Sequence, residues 1–189
     1  MITKNLEAHI QTLEQTINAN KSNMELIANT CIKRLEIGGK IIILGNGGSA
    51  ADAQHMAAEL VGNFSNKKRQ PLAAIALTTD TSVLTSICND YSFEDVFSRQ
   101  INALASPKDV VIGITTSGKS ANVLKALKLA KEKKCFVVGL SGKSVDEISS
   151  VCDINIAVSS FQTSRIQEVH LFIEHSICEL IDNHFVSKL

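Results

Sequence analysis

His55 and Glu59 stand four residues apart, the spacing that sets an imidazole and a carboxylate on one face of a helix, one turn from each other. The stretch that carries them begins with Gly45-Asn46-Gly47-Gly48-Ser49. Three glycines in four residues favour a tight turn. Ser49 then offers an N-cap, and Ala50, Ala51, Ala53, Ala57 and Ala58 are strong helix formers. Ahead of the turn, Ile41 to Leu44 is a short apolar run rich in β-branched residues, the mark of a strand buried on both faces. Strand, glycine turn and helix start aim backbone N–H groups and a positive dipole end at one spot, where a phosphate binds well. A phosphate cradle and a base–carboxylate pair on one helix point to chemistry on a phosphorylated small molecule. The plainer alternative is that Glu59 solvates the helix and His55 packs at its edge.

The elements around this unit repeat its pattern. Leu6, Ile10, Leu13 and Ile17 recur at helical spacing, and so do Met24, Ile27, Cys31 and Leu35 after a polar stretch at Asn18–Ser22. This predicts two helices, or one kinked helix, ending at Gly38-Gly39, with a stripe that covers either its own sheet or a partner subunit. Further strands are expected at Leu72–Leu77, Val110–Ile114, Cys135–Leu140 and Ile154–Val158. Helices are expected after the caps at Thr78–Ser82, over Phe93–Leu104, Asn122–Lys133 and Val145–Val151, and finally over Ser164–Phe185. Alternation of this kind defines an α/β fold: a doubly wound, five-stranded parallel sheet with an N-terminal helical extension. Ligands of such folds sit beyond the carboxyl ends of the strands. The hydroxyl- and glycine-rich loops Gly45–Ser49, Thr115–Ser120 and Ser141–Ser144 all fall there.

Length and composition bound the rest. The 189 residues read as a single domain over 1–189, with a 44% apolar fraction that argues against disorder. Basic and acidic residues balance at 19 each, so nothing marks a nucleic-acid surface. Five scattered cysteines (Cys31, Cys88, Cys135, Cys152 and Cys178) without a C-x-x-C pair read as reduced core thiols of a cytoplasmic protein. No apolar run nears the ~20 residues of a membrane span, and the first residues lack a signal core.

Two motif matches carry less than their letters. Gly45 to Ala50 fits G-x-G-x-x-G/A, yet the acidic residue that would hold a ribose, Asp80, lies 30 positions past Ala50 instead of about 20. Gly113-Ile-Thr-Thr-Ser-Gly118-Lys119-Ser120 fits the phosphate-loop pattern of nucleotide hydrolases. Gly113, however, is inside the apolar run, and no later strand ends in a magnesium-holding aspartate. Phosphate binding by Thr115, Thr116, Ser117 and Ser120 survives; nucleotide binding does not.

Taken together, GNGGSAADAQHMAAEL, Asn89-Asp90, TTSGKSAN and RIQEVHLFIEH resemble the sugar isomerase (SIS) domain family, and within it the phosphoheptose isomerases, over nearly the whole chain. The resemblance implies a flavodoxin-like SIS sandwich and aldose–ketose isomerisation of sedoheptulose 7-phosphate to D-glycero-D-manno-heptose 7-phosphate, for bacterial lipopolysaccharide or capsule. It implies a homotetramer with active sites between subunits and one zinc per subunit, held by His55, Glu59, Gln167 and His175. It also implies Glu59 and His175 as the acid/base pair. Substrate contacts would come from Asn46, Gly47, Gly48, Ser49, Glu59, Asn89, Asp90, Thr115, Thr116, Ser117, Ser120 and Gln167. Moving a carbonyl from C2 to C1 requires a carbon-bound proton to leave, an enediol to form and a proton to pass between two oxygens. A carboxylate and an imidazole suit that task. Gln167 and His175, eight apart, are separated by about 12 Å of helical rise, so one metal reaches both only if side chains lean together or subunits share the site. The family pattern favours His175 over His170, and His9 and His184 read as surface residues.

Where relatives carry arginine, this chain has Asn63, with Lys67, Lys68 and Arg69 nearby as substitutes. Thr115 replaces a commoner serine and keeps the hydroxyl. The competing readings are a non-catalytic SIS adapter, which lacks the acid/base residues present here, and a sugar-phosphate sensor, which needs a DNA-binding region.

Overall fold

The computed structural model describes residues 1–143 and 145–188. Ser144, at the edge of the third expected loop, lies outside the described residues. Five strands, β1 (Ile41–Gly45), β2 (Ala74–Ala76), β3 (Val110–Thr115), β4 (Phe136–Ser141) and β5 (Ile154–Ala157), form one parallel sheet in the order β2-β1-β3-β4-β5. The strands read as apolar runs because both faces are covered: Ile41 to Leu44 and Val110 to Ile112 are sealed from solvent. Alternate residues face opposite layers. Ile41, Ile43, Val110 and Ile112 pack with α1 (Ile2–Glu36), α2 (Gly48–Val61) and α7 (Thr163–Val186). Ile42, Leu44, Val111 and Val137 pack with α3 (Thr81–Asp90), α4 (Ser98–Leu104), α5 (Ala121–Glu132) and α6 (Asp146–Val151). Strand order reverses between β1 and β3, the crevice where doubly wound folds take their ligands.

The N-terminal segment corrects the expected break. α1 is one continuous helix of 35 residues. Asn18–Ser22 contains no proline or glycine to end it, and Asn20 Nδ2 donates back to the Thr16 carbonyl at 2.9 Å, within the helical pattern. Its stripe is covered by halves. Met24, Ile27 and Cys31 are buried in the chain's own core, whereas Leu6 and Ile10 remain 56% and 46% exposed.

Three local expectations also change. Gly47, at φ +57°, is the N-cap of α2, and its carbonyl accepts from Ala50 N–H at 3.1 Å. Only glycine adopts that left-handed conformation cheaply, so the helix starts before Ser49, which is buried inside its first turn. The second strand is shorter than Leu72–Leu77, because β2 is an edge strand paired only to β1 over three residues. The expected helix Phe93–Leu104 divides into a 3₁₀ turn, Phe93–Asp95, and α4. Asp80 caps α3 as expected, accepting from Val83 N–H at 3.0 Å. All five cysteines are free; Cys31, Cys135 and Cys178 are buried, but Cys88 is exposed, not a core thiol. No helix among the described residues is long and apolar enough to cross a membrane.

Candidate active site

The chain turns sharply out of β1 because Gly45 lets the helix start fold back on it. A Cβ there would lie 2.6 Å from the Ser49 carbonyl oxygen. Asn46 follows, and its amide pairs with that of Asn122 at the start of α5, each Nδ2 donating to the other's Oδ1 at 2.8 and 2.9 Å. The neighbouring loop leaves β3 at Thr115. Gly113 lies within that strand, facing Leu127, so the nucleotide-type loop suggested by the letters is not formed. Thr115 Oγ1 is 2.9 Å from Ser120 Oγ and 3.3 Å from Ser117 Oγ, a tight hydroxyl cluster at the N-cap of α5. Thr116 and Ser117 line a cleft with Lys119, Lys143 and Thr163, so cationic and hydroxyl groups meet at the carboxyl edge of the sheet. This is an anion-binding arrangement.

α2 and α7 pack side by side in the same direction. Gln167 near the start of α7 lies against Gly48 at the start of α2, close enough that a Cβ on Gly48 would collide with its amide. Two turns further on, His55 Nε2 meets His175 Nε2 at 2.8 Å, and Glu59 Oε1 lies 3.6 Å from His55 Nε2. The rings are 5.0 Å apart, and the Phe64 ring, 5.8 Å from that of His175, walls one side. The cluster is open: the His55 side chain is 43% exposed and Glu59 23%. The structure therefore brings His55, Glu59 and His175 together within one chain. It leaves Gln167 about 10 Å away along α2, by the seven residues from Gly48 to His55. Asn89 and Asp90 end α3 as an exposed pair, with Asn89 Nδ2 donating to Asp90 Oδ1 at 2.8 Å.

Among the described residues, no group of three or more His, Cys, Asp or Glu is already set as a metal cage. The donor types nevertheless fit zinc, since two imidazole nitrogens and a carboxylate oxygen are ordinary ligands for it. Two Nε2 atoms facing each other at 2.8 Å also require either a shared proton or a cation.

The remaining histidines are accounted for by packing. His170 is fully buried, and its Nε2 lies 3.2 Å from the Ser141 carbonyl oxygen. Burial pushes its pKa down to about 4, so it stays neutral. His9 and His184 are only part-exposed and have carboxylate partners that the sequence did not disclose, Glu168 at 2.8 Å and Glu36 at 3.0 Å.

Arg69 corrects the idea that it substitutes for the arginine missing at Asn63. It is 4% exposed, and its guanidinium is consumed by Asp182 and by the carbonyls of Glu59, Gly62 and Gln70. Four of its five N–H donors are committed and the group is buried, so it does not face a phosphate in solution. Arg69 and Asn122 are the residues that sequence reasoning missed. In the sequence Arg69 stands in a basic run, and Asn122 ends TTSGKSAN and opens the expected helix Asn122–Lys133.

Glu174, beside His175, is sealed from solvent with both carboxyl oxygens unpartnered. Burial, then the nearby Asp52 carboxyl, pushes its pKa up to about 9. The folded protein thus holds a neutral acid where the unfolded chain holds a carboxylate. The stability this costs is smallest below the ordinary carboxyl range and grows as pH rises toward 9, by up to about 1.4 kcal/mol per pH unit. Glu174→Leu should stabilise the fold by about 1–3 kcal/mol at neutral pH. The gain should widen between pH 5 and 9 in urea denaturation, and a variant less stable than wild type at pH 8 would contradict this account.

A five-stranded parallel sheet in this order, with the glycine loop and hydroxyl loop at its switch point, is the flavodoxin-like arrangement that accommodates an SIS domain. The sequence model of that domain matches residues 6–142, and the chain belongs to the SIS domain family. Within that family it groups with the phosphoheptose isomerases. It is 51% identical over 185 residues to phosphoheptose isomerase 1 of Campylobacter jejuni, covering 98% of both chains. It superposes on the phosphoheptose isomerase of Neisseria gonorrhoeae with a TM-score of 0.90 at 40% identity, covering 96% of this chain and 97% of that one. The corresponding enzyme of Francisella tularensis gives a TM-score of 0.92 at 36% identity, with 96% of each chain covered.

Proposed function

We propose that this chain is an aldose–ketose isomerase that converts sedoheptulose 7-phosphate to D-glycero-D-manno-heptose 7-phosphate. The observation that carries the reading is the meeting of His55, Glu59 and His175 on the α2–α7 seam, on a chain whose relatives at about half identity are phosphoheptose isomerases. The phosphate is held by the hydroxyls of Thr115, Thr116, Ser117 and Ser120. The sugar is positioned by Asn46, Gly47, Gly48, Ser49, Gln167 and the Asn89-Asp90 pair. Glu59 and His175 move the protons. A proton leaves C1, the C1 hydroxyl proton is given up as the C2 oxygen gains one, and the enediol collapses to the aldose as a proton is delivered to C2. His55, Glu59, Gln167 and His175 would hold zinc. When bound, the metal supplies Lewis-acid polarisation of the carbonyl.

Gln167 lies two turns from the histidine pair in its own chain, and the apolar N-terminal turns of α1 are uncovered. Both features support a homotetramer whose sites are completed between subunits. The reading further takes the whole of 1–189 as one domain, places the enzyme in the cytoplasm, and sends its product to lipopolysaccharide or capsule heptose.

The test is direct. Purified protein should convert sedoheptulose 7-phosphate to the aldose, and chelation followed by dialysis should reduce turnover at least tenfold, with recovery on adding zinc. Absence of turnover in folded, zinc-supplemented protein would turn the reading to a non-catalytic SIS adapter. Turnover that ignores the chelator would remove the metal alone.

A further inference from the structure

Asn122 lies outside every functional assignment made so far. It is 3% exposed in the first turn of α5, and it spends its amide on Asn46 in a reciprocal pair. β1 and β3 are neighbours, so this pair bridges the two loops that diverge at the switch point of the sheet. One loop carries the glycine turn; the other carries the hydroxyl cluster. We propose that Asn122 is a positioning residue that fixes the orientation of the Asn46 amide and locks the glycine loop to the phosphate cradle.

An unrestrained asparagine presents its oxygen and nitrogen in either of two orientations of similar shape. In a reciprocal pair, turning one amide alone sets nitrogen against nitrogen and oxygen against oxygen, so Asn46 turns only if Asn122 turns with it. Each amide has one N–H and one lone pair committed to its partner. Asn46 therefore keeps one N–H and one acceptor direction for a ligand, at known positions. Asn122 is buried behind it and cannot itself reach solvent-side ligand. Holding a binding group in place before the ligand arrives removes an ordering cost from binding, and it also fixes the spacing between sugar-binding and phosphate-binding loops.

The inference rests on the reading that Asn46 contacts the sugar phosphate, and a double-mutant cycle separates the two. Asn46→Ala, Asn122→Ala and the double variant are assayed for KM and kcat with sedoheptulose 7-phosphate. Thermal melts accompany each. Asn122→Ala should raise KM about tenfold, the scale of one misplaced hydrogen-bonding group. The double variant should be no worse than Asn46→Ala alone, because Asn122 acts only through Asn46. Asn122→Asp keeps the side-chain size but sets a second oxygen against Asn46 Oδ1. It should bind worse than wild type, since two facing oxygens break the pair. Multiplicative losses in the double variant, or an unchanged KM for Asn122→Ala, would overturn the proposal. If the wild type binds the sugar phosphate without isomerising it, the same cycle is read in the Kd from calorimetry. That result would sink the enzymatic reading while leaving Asn122 to be judged by the same non-additivity. Wild type that neither turns over nor binds the compound overturns both.

Discussion

Glu59→Gln and His175→Gln each lower kcat for sedoheptulose 7-phosphate by about 10²–10⁴-fold, the usual worth of one positioned acid/base group. Glutamine keeps the size and shape of glutamate but neither takes nor returns a proton at Oε1, 3.6 Å from His55. His175→Gln removes the ring whose Nε2 faces His55 at 2.8 Å. Both side chains lie on the open side of the α2–α7 seam, with the core beneath them made by Met56, Val169, Ile173 and Ile177. The folded structure should therefore survive, and melting temperatures should change little. Stopped assays of aldose formation at saturating substrate measure the effect. A variant that retains more than a tenth of wild-type kcat at saturating zinc would remove that residue from the proton-transfer step.

Arg69→Met is expected to have the largest effect on stability, about 3–5 kcal/mol, because it strands Asp182 as a buried charge with its principal partner gone. Asp182 is 1% exposed on α7, and it accepts from Ser65 Oγ at 2.7 Å as well as from the Arg69 guanidinium. Burial opposes its charge, but the hydrogen bonds from Ser65 and Arg69 outweigh burial and hold the carboxyl below its ordinary range. A depressed folded-state pKa means that this stabilisation is present above the ordinary carboxyl range and is lost as pH falls through the lower folded value. Urea denaturation at pH 7 and at pH 4 should show the wild-type advantage over Arg69→Met shrinking at the acidic end, because protonation of Asp182 removes the stranded charge from the variant. An Arg69→Met loss below 1 kcal/mol at pH 7 would show that the pair is not what ties the loop after α2 to α7. Arg69→Met/Asp182→Leu, which removes both charges, should recover a good part of the loss.

Much of the architecture was legible because the strands are buried on both faces. Ile41–Leu44 and Val110–Ile114 admit no other reading once turn residues follow them. β2 was overdrawn because Leu72 and Leu77 are buried by side-chain packing beyond the three residues of the strand. Leu77 N–H still donates to the Ile43 carbonyl at 2.9 Å, and an apolar run does not mark where pairing ends. The continuity of α1 was hidden by polar residues that a solvent-facing helix tolerates as readily as a loop does. At the site, His55 and Glu59 announced themselves by helical spacing. His175 is 120 residues from His55, so their meeting depends on α2 and α7 packing in parallel. No local pattern encodes that; only the family motif pointed to it. Arg69 and Asn122 stayed unread for a related reason. A buried arginine and a paired asparagine read like any solvated side chain until the partner, 113 and 76 residues away in sequence, is in place.

The packing of α1 on α7 has a consequence for how the chain matures in time. About 130 residues separate the end of α1 from the start of α7. At about 5–20 residues per second, synthesis leaves Met24, Ile27 and Cys31 without their full cover for roughly 6–25 s. During that interval a nascent chain presents an amphipathic helix with its oily side showing. Overexpression at lower temperature, or with holdase chaperones in excess, should therefore raise the yield of folded protein more than any change made within the sheet.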